Sequence, residues 1–341
     1  MTRMNHTPTK NPLPKIVCIG GGTGTFVALK GLKEHAVDLT AIVTMADSGG
    51  SNKRIRDEFG LLPTSDIRQC FVALSDENGG AGLMRRLFMY RFEKGQGIAG
   101  MTFGNLFMAA LADILGSQAE AIRQTRKVLR IKGKVIPVSY TDTNLSALYE
   151  DGHVVSEEHL IDEPEHDGRL KIEEVYLTPE AKATPEAVEA IVHADLIVLG
   201  PGDLYTSLIP NFLVSGIKEA FLETKATIVY VLNLMTKYGQ TYQFSAQDHM
   251  DALERYVGRS IDTVLVNTAQ IPEHALSVYA KSHEVAVVDD LVPGKPYRVL
   301  HADLIGDAIV SKSKSDALVR SLIRHDSEKL GTALIALTRQ A

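Results

Sequence analysis

The segment Met45–Cys70, MADSGGSNKRIRDEFGLLPTSDIRQC, gathers the groups best suited to hold an anionic ligand. It opens with Asp47, Ser48, Gly49, Gly50 and Ser51. Lys53, Arg54, Arg56 and Arg68 follow, interleaved with Asp57, Glu58 and Asp66. Glycine lets a backbone approach a ligand closely, and guanidinium forks grip phosphate oxygens in pairs. No helical or strand period runs through its first half. A loop forming a phosphate- or nucleotide-binding wall is therefore expected, in preference to a solvated loop with surface ion pairs.

A second cluster is Gly20-Gly21-Gly22-Thr23-Gly24-Thr25, placed where an apolar run gives way to a helical pattern. Amides at a helix N-terminus favour anions. The run is not a dinucleotide fingerprint, because its third glycine falls on Thr25 or Val27, and no Gly-Lys-Ser/Thr follows to make a P-loop. A tight structural turn is the bland alternative. Asp47, at a strand end, can hold ribose hydroxyls or a divalent ion, or merely cap its loop. A third cluster is Gly200-Pro201-Gly202-Asp203, followed by Ser207 and Asn211. Asn233 and Asn267 close two further apolar runs, with helix caps as their alternative role. Gly-x-Ser-x-Gly and His-Glu-x-x-His are absent, and no nucleophile–base pair stands out. His153, His159 and His166 sit in a polar stretch and are expected at the surface. A binding crevice is more legible than a reaction.

The elements that must position these groups alternate strand and helix. Lys15–Ile19, Leu39–Met45, Lys134–Val138, Ala194–Leu199, Thr227–Leu232 and Thr263–Val266 read as strands, with Glu284–Val288 as an outer one. Helices are expected over Thr25–Leu32, from Ser65 or Asp66 through Leu74, and over Leu83–Phe92 and Asn105–Leu115. Further helices are expected over Pro185–His193, Pro210–Phe221, Asp248–Tyr256, Ser315–Arg324 and Ser327–Leu337. The fold class is α/β, a Rossmann-like doubly wound and mostly parallel sheet. Residues 139–180 make a small antiparallel β excursion with a hairpin at Asp151-Gly152. Residues 1–14 read as a disordered tail, and 15–341 as a single domain containing the excursion. In such a sheet the loops after residues 19, 45, 199, 232 and 266 share one edge and converge on one crevice.

The 341 residues, 45% hydrophobic and 23% charged, allow one large α/β domain or two smaller ones. A net charge of -6 argues against a broad nucleic-acid surface, and the absence of Trp against a base-stacking platform. Cys18 and Cys70 lack partners at metal spacing and read as reduced core thiols. No apolar run reaches a membrane span. A secretory signal is not evident, and a cytosolic protein is expected.

With these residues assembled, the chain resembles the gluconeogenesis factor family, bacterial cytosolic proteins related to 2-phospho-L-lactate transferase. The resemblance rests on IGGGTGT at 19–25, TMADSGGSNKRIRDEFGLLPTSDIRQC at 44–70 and GNLFMAAL at 104–111. It continues with GPGDLYTSLIPNFLV at 200–214, NLMTKYGQT at 233–241 and IRHD at 323–326. It implies a Rossmann-like fold that binds a UDP-sugar, such as UDP-N-acetylglucosamine, in a regulatory role tied to cell shape and wall synthesis on gluconeogenic carbon. It places Asn105, Tyr279 and Arg324 with the site. No cofactor is required on this reading. Mg²⁺ is an option, with Asp47 or Asp203 as its ligand, and a homo-oligomer is left open. A phospholactyl-type transferase is the first alternative, an NAD-linked oxidoreductase the second. Three positions depart from the family pattern: Ser65 replaces a Gly, Asp203 a Ser, and Gln240 a Glu.

Overall fold

A computed structural model of the chain describes residues 12–77, 79–292, 295–306 and 322–338. The chain order begins β1 (Lys15–Ile19), α1 (Gly22–Leu32), β2 (Asp38–Val43), α2 (Gly50–Phe59), α3 (Ser65–Leu74), α4 (Gly79–Met89), α5 (Phe103–Leu115), α6 (Gln118–Leu129) and β3 (Lys134–Pro137). Then come β4 (Asn144–Tyr149), β5 (Val154–Ser156), α7 (Glu158–Asp162), β6 (Ile172–Thr178), α8 (Pro185–Val192), β7 (Leu196–Leu199), α9 (Ile217–Glu223) and β8 (Thr227–Val231). The last are α10 (Ala246–Val257), β9 (Thr263–Asn267), α11 (Glu273–Ala280), β10 (Arg298–Ala302) and α12 (Ser327–Leu337).

Seven strands form one sheet in the order β10-β9-β8-β7-β1-β2-β3. Every pairing in it is parallel. The central strands read KIVCI, LIVL and TIVYV and are almost wholly buried, as a parallel sheet covered on both faces requires. Val17, Ile19, Ile197 and Leu199 belong to one apolar layer; Ile16, Cys18, Leu196 and Val198 belong to the other. The α/β reading is therefore the observed architecture. The excursion supplies a separate antiparallel sheet, β5-β4-β6. Cys18 and Cys70 are buried and free, and burial pushes the Cys18 thiol up to about 12.

Several expectations need correction. The outer strand is β10, not Glu284–Val288, where only an isolated bridge joins Met235 to Ala286. The helix expected over Pro210–Phe221 is a short 3-10 turn at Ile209–Asn211 followed by α9, since Gly216 at φ +98 interrupts it. The supposed loop after Asp47 becomes helical from Gly50, because Asp47 and Gly49 close its entry. Gly50 and Ser51 lie in its first turn; the expected role of the Ser51 hydroxyl falls outside the described side chains. α1 starts at Gly22, so Thr23, Gly24 and Thr25 are helical and not loop. The tail reading falls outside the described residues through 11, and the Ser315–Arg324 helix does so through 321. Residues 322–324 are not helical. No described helix is long and apolar enough to cross a membrane.

Candidate functional site

The chain winds from β1 through β2 to β3 in one direction, then returns to β7 and winds through β8 and β9 to β10 in the other. The reversal lies between β1 and β7, where loops of a doubly wound sheet separate and leave a crevice. A cavity of about 1020 Å³ opens there, lined by Gly21–Gly24, Asp47, Gly49, Arg54, Asp66, Arg68, Gly202, Asp203, Ser207, Asn233, Tyr279 and Arg324 among others. The two glycine loops meet at its floor. Gly200 N–H donates to the Ile19 carbonyl at 3.0 Å, and Gly20 N–H to the Ile42 carbonyl at 3.2 Å. A Cβ on Gly24 would stand 2.1 Å from the Pro201 carbonyl oxygen, so this glycine lets the first turn of α1 pack directly on the Gly200–Asp203 turn. Gly22, with φ +61, instead faces open space; a Cβ there would find only the Ser207 hydroxyl, at 4.0 Å. The chain already places one anion at this helix start: Asp66 Oδ1 accepts the Gly22 N–H at 2.9 Å.

The wall beside it is a relay of side chains. Asp47 accepts from the Gly49 amide at 2.8 Å and from the Asn52 side-chain amide. Asn52 Oδ1 accepts the Ser65 hydroxyl at 2.9 Å and the Thr64 and Ser65 amides, each at 3.3 Å. Asn105 Nδ2 donates to Ser65 Oγ at 3.2 Å, and Asn105 Oδ1 accepts Arg68 Nε at 3.1 Å. So Asn105 is wholly buried and orients Arg68 from behind; it is not in the cavity lining. The departure at Ser65 supplies a link that glycine could not. Arg54 donates to the Ala99 carbonyl at 3.0 Å and pairs with Glu58 at 3.5 Å.

The opposite wall comes from the excursion, through α7. Ser48 N–H donates to Glu158 Oε2 at 3.3 Å, and the Ser48 hydroxyl accepts the His159 amide at 3.1 Å and lies 3.2 Å from His159 Nδ1. His159 therefore lines the crevice, against the surface placement expected of it. Asp162 pairs with Lys237 at 3.4 Å and accepts from Gln240 Nε2 at 3.0 Å. Burial raises the carboxyl pKa values of Glu158, Asp47 and Asp203, and Asp162 nearby adds to each. Burial opposes the charge on Lys237, yet Asp203 and Asp162 outweigh it and push its pKa up. The negative charge that Asp203 introduces thus has its own cation in Lys237. Sequence reading missed Asn52, Glu158, Asp162 and Lys237. Asn52 and Lys237 lay inside segments already singled out but were not picked from them, and Glu158 and Asp162 lay in the polar excursion, where nothing local marks them.

A raised carboxyl pKa lowers stability above the ordinary value. The folded state holds the proton over a window where the unfolded chain has lost it, so stability falls as pH rises through that window. Glu158→Gln keeps an acceptor for the Ser48 amide and removes the charge. The variant is expected to melt above the parent at pH 8, with the gap closing as pH approaches 4.5. Melting curves across that range check it; parallel curves would mean that Glu158 ionises without strain.

Other expected contacts lie behind the cavity. Ser48, just described, is 5% exposed. Gly20 and Gly200 hold strand ends, and the Thr25 hydroxyl is buried without a hydrogen-bond partner among the described residues. Asn211 donates to the Ser207 and Leu208 carbonyls at 3.0 and 3.1 Å. Asn267 donates to the Ala269 carbonyl at 2.8 Å and accepts the Leu304 amide at 3.0 Å. Both are local caps. Of the five strand-end loops, the one after β9 therefore does not reach the crevice. Asn233 does, and also donates to the Gly202 carbonyl at 2.9 Å. On the far side Tyr279, on α11, accepts the Ile323 amide at its hydroxyl, 3.2 Å away, and so holds the segment that carries Arg324.

Both Asp47 oxygens are engaged, and among the described residues no three His, Cys, Asp or Glu side chains are placed to hold an ion.

The molecule is thus an open α/β protein with a polar, mixed-charge crevice at the carboxyl edge of its sheet. The family model described as 2-phospho-L-lactate transferase CofD matches residues 16–305, and the chain belongs to that family. A protein named gluconeogenesis factor from Bacillus subtilis (strain 168) is 41% identical over 329 residues, 96% of this chain and 99% of its own. A relative from Aquifex aeolicus (strain VF5) is 41% identical over 330 residues, 94% of this chain and 96% of its own. The crystal structure of a UPF0052-family protein from Bacillus halodurans superposes with a TM-score of 0.86 at 36% identity, covering 96% of this chain and 100% of that one.

Proposed function

We propose that this protein is a cytoplasmic binder of a nucleotide sugar of the UDP-sugar class, acting as a regulator of gluconeogenesis factor type in cell shape and wall synthesis. The observation that carries the reading is the make-up of one crevice. Its about 1020 Å³ is at the upper end of ordinary small-molecule clefts, room for a long ligand with unlike ends. Gly22, Arg54, Arg68 and Arg91 suit a diphosphate. Leu234, Met235 and the Tyr279 ring offer a flat apolar wall to a base, and Arg324 a donor to the diphosphate or the sugar's acyl oxygen. The second reading, transfer of a phospholactyl-type group, is favoured by the family name and by the acidic wall of Asp47 and Glu158.

A thermal-shift series separates them. A ligand at 100 times its dissociation constant adds about 2.7 kcal/mol. Stabilisation by UDP-sugars alone supports binding and regulation. Stabilisation by GMP or a deazaflavin with Mg²⁺ supports transfer, and stabilisation by NAD would overturn both. Within the first reading, Arg324→Ala is expected to cost about 1.5–3 kcal/mol of UDP-sugar affinity. Tyr279→Ala removes both ring and anchor. Tyr279→Phe is not silent either: it keeps the ring but frees the Ile323 amide, for a loss of about 1 kcal/mol. Calorimetry on the three variants checks this, and equal affinity in all would remove the far wall from the site.

A further inference from the structure

The strands that carry the crevice at their carboxyl ends hold a second cleft at their amino ends. It encloses about 340 Å³. β1 has five residues at about 3.3 Å each, so the two sites lie about 15 Å apart along the strand. The cleft lies between α6 and α8, over the starts of β1 and β2 and the edge strand β3. Residues aligned across parallel strands share a face, and the pairs Lys15↔Asp38, Val17↔Thr40, Thr40↔Lys134 and Ile42↔Ile136 put Val17, Thr40 and Ile136 in its floor.

Its walls differ in sign. α6 and β3 contribute Arg123, Arg126 and Lys134; α8 contributes Glu186 and Glu189. Lys15 and Asp38, beside each other on the β1–β2 edge, add one charge of each sign. Tyr140 stands at the mouth, within electrostatic reach of both Arg123 and Glu186. Arg123 is engaged by Glu120 at 2.8 Å. The side chains of Arg126, Lys134 and Glu189 have no ion-pair or hydrogen-bond partner among the described residues. An apolar floor between a cationic wall and an anionic one is complementary to a molecule with the same three parts.

We propose that this cleft is a second small-molecule site, which takes a compact zwitterion with an apolar body, of the amino-acid class. The ligand's carboxylate faces Arg126 and Lys134, its ammonium faces Glu186 and Glu189, and its side chain lies on Val17 and Ile136. The assignment goes beyond the nucleotide-sugar reading and does not depend on it.

The test uses the full chain and three probes in ligand-observed NMR and calorimetry: L-phenylalanine, phenylpropionate without the ammonium, and phenethylamine without the carboxylate. Phenylalanine is expected to saturate, and each half-ligand to bind about tenfold more weakly or worse. Arg126→Ala is expected to weaken phenylalanine and phenylpropionate but not phenethylamine. Glu189→Gln is expected to do the reverse, weakening phenylalanine and phenethylamine. Both positions are on the surface, so circular dichroism should show parent-like folding. Phenylpropionate binding as tightly as phenylalanine would make this an anion site and overturn the zwitterion assignment. Failure of all three probes to bind, or binding unchanged in both variants, would overturn the site itself.

Discussion

A single methyl group at Gly24 is expected to disrupt both halves of the crevice at once. Its Cβ would stand 2.1 Å from the Pro201 carbonyl oxygen, 2.4 Å from the Pro201 carbonyl carbon and 2.9 Å from the Gly202 nitrogen. All three are backbone atoms, so no rotamer change relieves them. Either α1 moves off β7 or the Gly200–Asp203 turn moves away, and both carry crevice residues. Overpacking of this kind costs about 1–3 kcal/mol, and a lowered melting temperature with loss of the site's ligand is expected for Gly24→Ala. Gly22 makes the control. Its φ of +61 penalises any side chain, by about 1–2 kcal/mol, but an added Cβ meets nothing nearer than 4.0 Å. Gly22→Ala should therefore lose stability through backbone strain, with both loops in place. Larger groups there intrude on the ligand. Should Gly24→Ala bind UDP-sugars like the parent, the two loops do not form one cradle.

The legible parts of the fold were those written in apolar runs. KIVCI, LIVL and TIVYV can only be buried strands, and their ends bring Gly21, Gly22, Gly202 and Asn233 to one edge. α2 was not legible because its sequence, GSNKRIRDEF, buries a single apolar side chain, Ile55. Its hold on the fold is polar, through Asn52 to Thr64 and Ser65. β10 was missed for the related reason that an edge strand is half exposed and needs no dense apolar run. The excursion was legible as antiparallel, but nothing local says that Glu158, His159 and Asp162 fold back onto Ser48 and Lys237. Those contacts bridge more than 70 residues of chain. The asparagines illustrate the converse error. A strand-end Asn is equally good as ligand contact or cap, and three-dimensional surroundings put Asn233 at the crevice and Asn267 in a cap.

Acidification is expected to open the far wall of the crevice, and His325 is the group responsible. It is 7% exposed, and its Nε2 is buried without a hydrogen-bond partner among the described residues. Burial alone lowers its pKa from 6.5 to about 4. The unfolded chain takes up a proton below 6.5 and the folded one only near 4. The contribution of the neutral ring is therefore complete above 6.5 and is lost as pH falls between these values. At 1.36 kcal/mol per pKa unit that is about 3 kcal/mol. Asp47, Glu158 and Asp203 pull the other way, since their raised pKa values favour the folded state as pH falls. The two trends are separated by substitution. His325→Gln cannot take up the proton, so its stability should hold or rise from pH 6.5 to 4.5 while the parent's declines relative to it. Position couples this to function: His325 bridges Ile305, follows Arg324 directly and precedes Asp326, whose carboxylate caps α12 through the Glu328 and Lys329 amides at 2.9 Å. A charged His325 leaving the core would carry Arg324 with it. UDP-sugar affinity is accordingly expected to fall below about pH 5 in the parent and to be less sensitive to acid in His325→Gln. Denaturant titrations and calorimetry at matched pH values measure both. Superimposable pH profiles for the two proteins would mean that His325 is not the acid-sensitive element.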